Sequence, residues 1–387
     1  MVPMLHVRRA FFVALAPLLV ACSGGGSDTS SGEGDTHGSG GAAHSSSSAS
    51  GGGGGGSTAS SSASGASSTA SSASGSSSST SASSGSGTGG SAPVVLESEY
   101  ILPDDQYPES GTYDPVQHAF FASSLKYGDV LKVDADGTQS FFYAGTGETD
   151  RVTLGMKVDA TRRRLWVCSI INDSDKLGSI WVFDVDSGEQ LADIHLDDTF
   201  SGASCNDLAL DDQGLAYVTD RENPNVYRVD PSTQEVTLWA TNSLLQPAVI
   251  GMNGIAFTPD HSALIVTKYL PARLIRISVQ NPSSMSEVTL SGDSFSGGVK
   301  VANGADGIIF MGDNLYVAFG DNIMQVTPGD ASWAAATVKA QSIGTGYTAL
   351  TLAEGDLYAF RGQSVSFQFD LDPDLPFDIL RVDPAGF

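Results

Sequence analysis

From residue 93 onward, short apolar runs alternate with polar turns along the whole chain. The runs are rich in Val, Ile, Leu, Tyr and Phe, and Asp-Gly, Gly-Asp and Pro-Asp pairs separate them. Runs of this length and composition are typical of β-strands joined by tight turns. No amphipathic helical stretch of convincing length interrupts them. The pattern therefore predicts an all-β domain over residues 93–387.

Six segments of this region repeat one pattern: a small polar start, an apolar strand, a turn and a second apolar strand. Their equivalent positions recur about every 42 to 53 residues, which is the period of a propeller blade. Each unit leaves an apolar face that only a neighbour can cover, so the units are expected to close into a ring. The sequence therefore predicts a six-bladed β-propeller. The segments are PESGTYDPVQHAFFASS from Pro108, TLGMKVDATRRRLWVCS from Thr153, CNDLALDDQGLAYVTD from Cys205, MNGIAFTPDHSALIVTK from Met252, ADGIIFMGDNLYVAFG from Ala305 and YTALTLAEGDLYAFRG from Tyr347.

The last repeat lacks an outer strand of its own. The segment Val95–Leu102 precedes the first repeat and alternates like a strand. We expect it to pair into the last blade, because this would join the chain ends and remove an exposed edge.

The first 21 residues have the pattern of a secretory signal peptide. Arg8 and Arg9 precede an apolar run from Ala10 to Ala21, which is too short for a stable membrane span. The run ends in Leu-Leu-Val-Ala-Cys-Ser, which resembles the lipobox of bacterial lipoproteins. That resemblance implies cleavage before Cys22 and a lipid on its thiol. The alternative is an ordinary signal peptide followed by a chance cysteine.

Residues 22–92 are expected to form a flexible tether after the lipidated cysteine. They are almost entirely Gly, Ser, Ala and Thr, and so cannot bury enough apolar surface to offset the entropy of ordering. The expected location is extracytoplasmic and lipid-anchored. Ser23 after the cysteine, where Asp would indicate otherwise, favours the outer membrane by analogy with other lipoproteins.

The charge of the chain narrows the range of partners. With 44 acidic and 19 basic residues, the formal net charge is −25. Such a surface is repelled by nucleic-acid phosphates and by anionic lipid headgroups. We therefore expect no nucleic-acid partner, and membrane contact only through the lipid. A monomer that binds a small molecule is the expected state.

Alignment of the six repeats places one residue of each at the start of the innermost strand, where a propeller opens its central channel. Carboxylate and amide oxygens that meet there suit a hard cation such as Ca²⁺. Without a cation, the two acids would repel each other. The alternative is that each side chain hydrogen-bonds a local turn. The six residues are Glu109, Leu154, Asn206, Asn253, Asp306 and Thr348.

Short motifs at these positions resemble the gluconolactonase family, which includes regucalcin (senescence marker protein) and luciferin-regenerating enzyme. The resemblance implies a six-bladed propeller with one divalent cation at the channel mouth, Ca²⁺ being favoured and Zn²⁺ or Mg²⁺ the alternatives. This chain departs from the family pattern in Gly111, where the family has Pro, and in the apolar Leu154. The motifs are PES at Pro108, CND at Cys205, NG with TPD between Asn253 and Asp260, and ADG at Ala305.

The resemblance also implies roles for individual residues. Glu109, Asn253 and Asp306 match the metal ligands of the family. Asn206, with Asp207 beside it, matches the substrate-contacting position. If the protein is an enzyme, the implied reaction is metal-assisted hydrolysis of a lactone or related ester, with Asp306 as general base and Asn206 orienting the substrate. The alternatives are a non-catalytic propeller that binds a ligand or a protein, and a scaffold with a structural metal.

Cys168 and Cys205 are the cysteines that remain after Cys22. Export would place them in an oxidising compartment, where a disulfide between them is expected. The alternative is a pair of buried free thiols that act as small hydrophobes. No G-x-S-x-G motif occurs in the sequence, and neither a P-loop nor a dinucleotide-binding fingerprint follows any predicted strand.

Overall fold

The computed structural model describes residues 94–145, 151–171, 178–248, 250–295 and 304–387. Within these ranges nearly all regular structure is β-strand, and the longest helix spans only Ser364–Gln368. The prediction of an all-β domain is therefore confirmed. The predicted signal peptide, Cys22 and the predicted tether lie outside the described residues. None of the described helices is long and apolar enough to cross a membrane.

Twenty-three described strands follow one another along the chain. They are β1 (Glu99–Ile101), β2 (Gly111–Asp114), β3 (Ala119–Ser123), β4 (Val130–Asp134), β5 (Gln139–Tyr143), β6 (Arg151–Asp159), β7 (Arg164–Ile171), β8 (Gly178–Asp184), β9 (Gln190–His195), β10 (Cys205–Leu210), β11 (Ala216–Asp220), β12 (Asn225–Asp230), β13 (Glu235–Thr241), β14 (Ile250–Phe257), β15 (Ala263–Leu270), β16 (Arg273–Ser278), β17 (Met285–Glu287), β18 (Thr289–Gly292), β19 (Ile308–Met311), β20 (Asn314–Pro328), β21 (Ala335–Ala353), β22 (Asp356–Arg361) and β23 (Asp378–Val382). Helix α1 is Ser364–Gln368.

Four of the sheets are four-stranded antiparallel meanders: β2 to β5, β6 to β9, β10 to β13 and β14 to β17. In each meander, burial falls from the inner strands to the outer edge. The strand β7 is buried along nearly its whole length, whereas β9 alternates between exposed and buried residues. This difference arises because an inner strand is covered on both faces by neighbouring sheets, while an edge strand covers the core with one face only.

The fifth sheet has seven strands in the order β1-β23-β22-β21-β20-β19, and β18 pairs in parallel with β21. Two long strands, β20 and β21, run through its centre, and register shifts interrupt their pairing near Gly320 and Tyr347. The first strand of the domain pairs with the last, with Glu99 opposite Leu380 and Ile101 opposite Asp378. The expectation that Val95–Leu102 joins the chain ends is therefore confirmed.

The first strands of the repeats form a closed cycle. β2 contacts β6, and the contacts continue through β10, β14, β19 and β21 back to β2. The approach between neighbours is close enough to require glycine. A Cβ on Gly155 would lie 2.5 Å from the carbonyl oxygen of Asn206, and one on Gly254 would lie 2.6 Å from that of Asp306. The sheets therefore radiate from one axis, as the blades of a β-propeller do.

A buried ion pair ties the first two sheets together. Arg163 donates two hydrogen bonds, of 2.7 and 2.6 Å, to the fully buried carboxylate of Asp114. The same guanidinium also binds Asp186. This bidentate geometry offsets the cost of taking the Asp114 charge out of water.

Removal of the closing strand should unfold the ring. A chain that begins at Pro103 lacks β1 and exposes the edge of β23, so we expect it to lose cooperative thermal unfolding or to aggregate. A chain that begins at Pro93 keeps β1 and is the matched control. Circular dichroism melts of the two chains measure the difference, and equal melting temperatures would contradict closure by β1.

Candidate active site

The six aligned residues lie where the inner strands depart from regular pairing. Leu154, the Asn206–Asp207 pair, Asn253 and Thr348 all fall within β-bulges, where one strand carries extra residues. Glu109 and Asp306 each lie two residues before a strand, β2 and β19 respectively. Bulges change the direction of side chains and occur often beside active sites. Here they bring one side chain from each inner strand towards the common axis.

Hydroxyl groups on the second strands bind the backbone beside the site residues. Thr219 Oγ1 donates to the Asn253 carbonyl at 2.8 Å, and Thr267 Oγ1 donates to the Asp306 carbonyl at 2.9 Å. In the first sheet, the Ser110 N–H donates to Ser123 Oγ at 2.8 Å. These hydroxyls satisfy backbone groups in one bulge and in the segments that precede β19 and β2.

A hydrogen bond joins two of the predicted site residues, and a third lies beside them. Asn206 Nδ2 donates to Asn253 Oδ1 at 2.5 Å. Burial raises the pKa of Asp306, and the nearby Asn253 side chain acts in the opposite direction. Glu109 interacts electrostatically with Asp306 across the cycle. The exposed fractions of Glu109, Asn206 and Asp306 are only 8%, 6% and 4%. The structure thus brings the four polar residues selected from the repeats into one buried cluster.

The acids of this cluster are strongly perturbed. Burial, followed by the negative charge of Asp207, raises the pKa of Glu109 to about 8, although Arg221 acts in the opposite direction. Burial, then the charges of Glu109 and Asp207, raise the pKa of Asp306 well above its usual range. Like charges in a buried site disfavour ionisation. A positive charge placed between these carboxylates would relieve that cost.

The donors of the cluster fit a hard cation. Glu109 and Asp306 offer carboxylate oxygens, and Asn253 offers an amide oxygen. The buried hydroxyl oxygen of Thr348 has no hydrogen-bond partner among the described residues. Within those residues, no group of three or more His, Cys, Asp or Glu side chains is placed to hold a metal ion. A cation at this site would therefore depend on the Asn253 amide as well as on the two acids.

Asp207 and Leu154 lie in the cycle but differ from the polar set. Asp207 Oδ2 accepts a 3.4 Å hydrogen bond from the Ile255 N–H, so this carboxylate contacts the backbone of the next inner strand. Its Oδ1 is buried without a partner among the described residues. Leu154 is 2% exposed and contributes no donor or acceptor from its side chain. Asp207 therefore supports the strand contact while its charge acts on Glu109.

The sequence of this chain matches the model of one protein family. The model of the SMP-30/Gluconolactonase/LRE-like region matches residues 107–324, more than half of the chain. The chain belongs to this family. Curated protein sequences give no match.

Solved structures agree with the assignment at the level of the fold. The Malassezia sympodialis allergen Mala s 1 superposes with a TM-score of 0.61 at 18% identity, over 75% of this chain and 97% of that chain. A putative gluconolactonase has a TM-score of 0.52 at 16% identity, over 74% and 93%. A calcium-binding protein, regucalcin, from Agrobacterium tumefaciens has a TM-score of 0.50 at 15% identity, over 74% and 95%. At these identities the likeness shows a shared fold.

The two cysteines of this SMP-30/gluconolactonase-type domain do not form the disulfide expected from the sequence. Cys168 and Cys205 are free and fully buried. Cys205 Sγ donates to the Ser179 carbonyl at 3.4 Å. Burial, followed by a hydrogen bond with Cys205, raises the pKa of Cys168 well above its usual value. The structure thus corresponds to the alternative of two buried free thiols that act as small hydrophobes.

Two kinds of supporting residue in this SMP-30/gluconolactonase-type site escaped the sequence analysis. The first is the set of hydroxyls of Ser123, Thr219 and Thr267, which bind the backbone beside the site residues. Their signal was present, because a Ser or Thr lies at or near the end of the second strand in four of the six repeats, at these three positions and at Ser169. The second is Tyr269, whose pKa is raised by burial and then by the charges of Asp306 and Glu109. The repeat alignment does not indicate Tyr269, because the other repeats have different types of residue at the equivalent position.

The remaining polar features lie apart from the cluster. His118 pairs with Glu354 at 2.9 Å, His195 approaches Asp193 at 3.8 Å, and the ring of His261 stacks on another side chain. Asp374, the last acid of the acidic stretch from Asp370 to Asp374 near the C-terminus, pairs with Arg361 at 2.5 Å. A cleft of about 490 Å³ lies between residues 272 and 295 and includes none of the six aligned positions. These features behave as surface groups.

The stability of the cation-free protein should decrease as the pH rises. In the folded state Glu109 keeps its proton up to about pH 8, because its pKa is raised to about 8. In the unfolded chain it releases the proton near pH 4.5, the ordinary pKa of a glutamate side chain. Folding therefore binds protons between these values, and raising the pH weakens it, by at most about 1.4 kcal/mol per pH unit for one group. Urea unfolding in the presence of a chelator at several pH values measures this slope.

The variant Glu109→Gln should flatten that slope, because the neutral amide does not titrate. Glu354→Gln is the control, since the pKa of Glu354 is lowered by hydrogen bonds from Tyr113 and His118. A Glu354 carboxylate loses its stabilising effect only as the pH falls, so its removal should leave the slope above pH 5 unchanged. An unchanged slope in Glu109→Gln would contradict the burial of this acid.

Proposed function

We propose that this protein is a divalent-cation-dependent hydrolase of lactones or related cyclic esters, anchored at a bacterial envelope by a lipid on Cys22. The observation that carries the proposal is the cluster of Glu109, Asn253 and Asp306, whose two acids are buried. Burial and then the charge of Asp207 raise the pKa of Glu109, and burial and then the charges of Glu109 and Asp207 raise the pKa of Asp306. Membership of the SMP-30/gluconolactonase family supports the same reading.

The architecture proposed for this function is a six-bladed propeller. Four blades correspond to the four-stranded meanders, and the seven-stranded sheet contributes the other two. The closed cycle of six first strands supports this count. The long strands β20 and β21 would then each serve two blades, because their registers shift near Gly320 and Tyr347.

Glu109, Asn253 and Asp306 would hold the cation. Their oxygen donors favour Ca²⁺, with Zn²⁺ and Mg²⁺ as alternatives. The similarly folded regucalcin is described as a calcium-binding protein. When bound, a divalent cation supplies Lewis-acid polarisation of the ester carbonyl.

The protein side chains would supply orientation and proton transfer. Asn206 is held by its hydrogen bond to Asn253 and would present its remaining amide atoms to the substrate. Asp306, with its raised pKa, would accept the proton of the attacking water. Because these residues are less than one-tenth exposed, bulk water is largely excluded and their electrostatic effects are strengthened.

The proposed location of the protein is extracytoplasmic, with a lipid anchor in the membrane. Cys22 would carry the lipid and residues 23–92 would hold the domain away from the membrane, with the outer membrane favoured. The net charge of −25 supports a soluble monomer without nucleic-acid partners.

A non-catalytic binding propeller is the second candidate. The low exposure of Glu109, Asn206 and Asp306 favours it, because a structural cation would be enclosed in the same way. This candidate differs from the first in one measurable respect: it would bind a cation without hydrolysing lactones.

Metal analysis and a lactone panel test the proposal together. We expect about one divalent cation per chain in the purified protein, and hydrolysis that stops when a chelator is added. Asp306→Asn should lose the cation or reduce kcat by about 10²–10⁴-fold, since it removes both a ligand and the base. Asp372→Asn, which removes an exposed carboxylate from the acidic stretch near the C-terminus, is the matched control and should retain both properties.

The outcomes separate the candidates. A protein that holds one cation but hydrolyses no lactone would be a binding propeller. A wild-type protein without a cation site, or an Asp306→Asn variant with full cation content and activity, would contradict the proposed site.

A further inference from the structure

Tyr269 lies next to the chain that leads into Asp306. It follows Lys268 near the end of β15 and is 7% exposed. Its ring packs on Gly304 so closely that a Cβ there would lie 2.4 Å from a ring carbon. Its carbonyl accepts a 3.3 Å hydrogen bond from the Ala305 N–H. One residue thus contacts both positions that immediately precede Asp306.

The phenol hydroxyl of Tyr269 has polar neighbours on two sides. Burial raises the pKa of this hydroxyl, and the nearby Ser364 side chain and Gly304 backbone act in the opposite direction. Asp306 and Glu109 are close enough for their charges to act on this hydroxyl. The hydroxyl therefore lies between the acid cluster and helix α1.

Helix α1 and the residue before it contact the segments that directly precede two other site residues, Thr348 and Glu109. The Gln363 N–H, directly before α1, donates to the Gly346 carbonyl at 2.9 Å, two residues before Thr348. The ring of Phe367 packs edge-on against Tyr107, two residues before Glu109, with a centroid distance of 5.2 Å. Helix α1 and Tyr269 together thus touch the approaches to Glu109, Asp306 and Thr348.

We propose that Tyr269 is a positioning residue for Asp306, and that its hydroxyl links the Asp306 approach to helix α1. Its role at the cation rests on the proposed function, whereas its role in the fold does not. Gly304 and Ala305 have almost no side chain of their own to fix them, so the Tyr269 contacts set the direction in which Asp306 enters the cluster. Cation ligands must be held within about 0.5 Å of their productive geometry, which makes this support important.

Hydrogen exchange tests the link without reference to any metal. In Tyr269→Phe the ring remains and only the hydroxyl is lost. We expect faster exchange in peptides covering residues 304–308 and 364–371 than in the wild-type protein. Ser364→Ala removes the other side of the link and should accelerate exchange in the second peptide only. Unchanged exchange in both peptides of Tyr269→Phe would overturn the proposal.

Cation titration tests the positioning role. Calorimetry with Ca²⁺ should show about tenfold weaker binding by Tyr269→Phe, and less than a threefold change for Ser364→Ala. Tyr113→Phe is the matched control, because the Tyr113 hydroxyl donates to Glu354 at 2.8 Å and contacts no residue of the cluster. It should lower the melting temperature while leaving Ca²⁺ affinity unchanged.

The two experiments distinguish the possible failures. Wild-type protein that binds no divalent cation would contradict the proposed function, and the exchange experiment would then decide on the Tyr269 link alone. Wild-type affinity in Tyr269→Phe, measured on a wild-type protein that does bind, would overturn the positioning role. An equal loss of affinity in Tyr113→Phe would overturn it as well, because the effect would then follow from general destabilisation.

Discussion

The closed cycle of inner strands is the contact on which the rest of the structure depends. Each first strand needs a neighbour on both sides, and the pairing of β1 with β23 completes the last sheet. Closure brings the starts of the inner strands so near to one another that Gly155 and Gly254 have no room for a Cβ. Residues far apart in the sequence therefore meet at one axis, and their side chains must be compatible at short range.

This proximity makes the acid cluster costly for folding. Glu109, Asp207 and Asp306 are all buried, and burial raises the pKa of each. The charge of Asp207 further raises the pKa of Glu109, and the charges of Glu109 and Asp207 further raise that of Asp306. Such a cluster lowers the stability of the cation-free fold as the pH rises, since the carboxylates must ionise against each other. Groups that destabilise a fold in this way commonly mark functional sites. The Asn206–Asn253 hydrogen bond fixes part of the cluster in one arrangement before any ligand binds.

The repeat pattern was sufficient to predict the cluster, because period and register determine which residues face the axis. Glu109, Asn206, Asn253 and Asp306 could be selected from the sequence because each begins the first strand of its repeat. The closing strand could be predicted for a similar reason, since the last repeat was short of one strand.

Features that depend on contacts between loops could not be predicted in this way. Tyr269 acts through Gly304 and Ser364, which are distant in the sequence and follow no repeat. The cysteine pair shows the same limit: the sequence placed the two thiols in adjacent repeats, but whether they bond depends on local geometry, and the structure holds them as buried free thiols.

We propose that closure of the ring of inner strands creates a buried acid cluster, and that a divalent cation neutralises this cluster. Calorimetric titration of the protein with Ca²⁺ at pH 7, repeated in two buffers of different ionisation enthalpy, tests it directly. Because the pKa of Glu109 is raised to about 8, binding should release about one proton per cation as the cluster ionises. Binding without proton release, or no binding at all, would contradict the account.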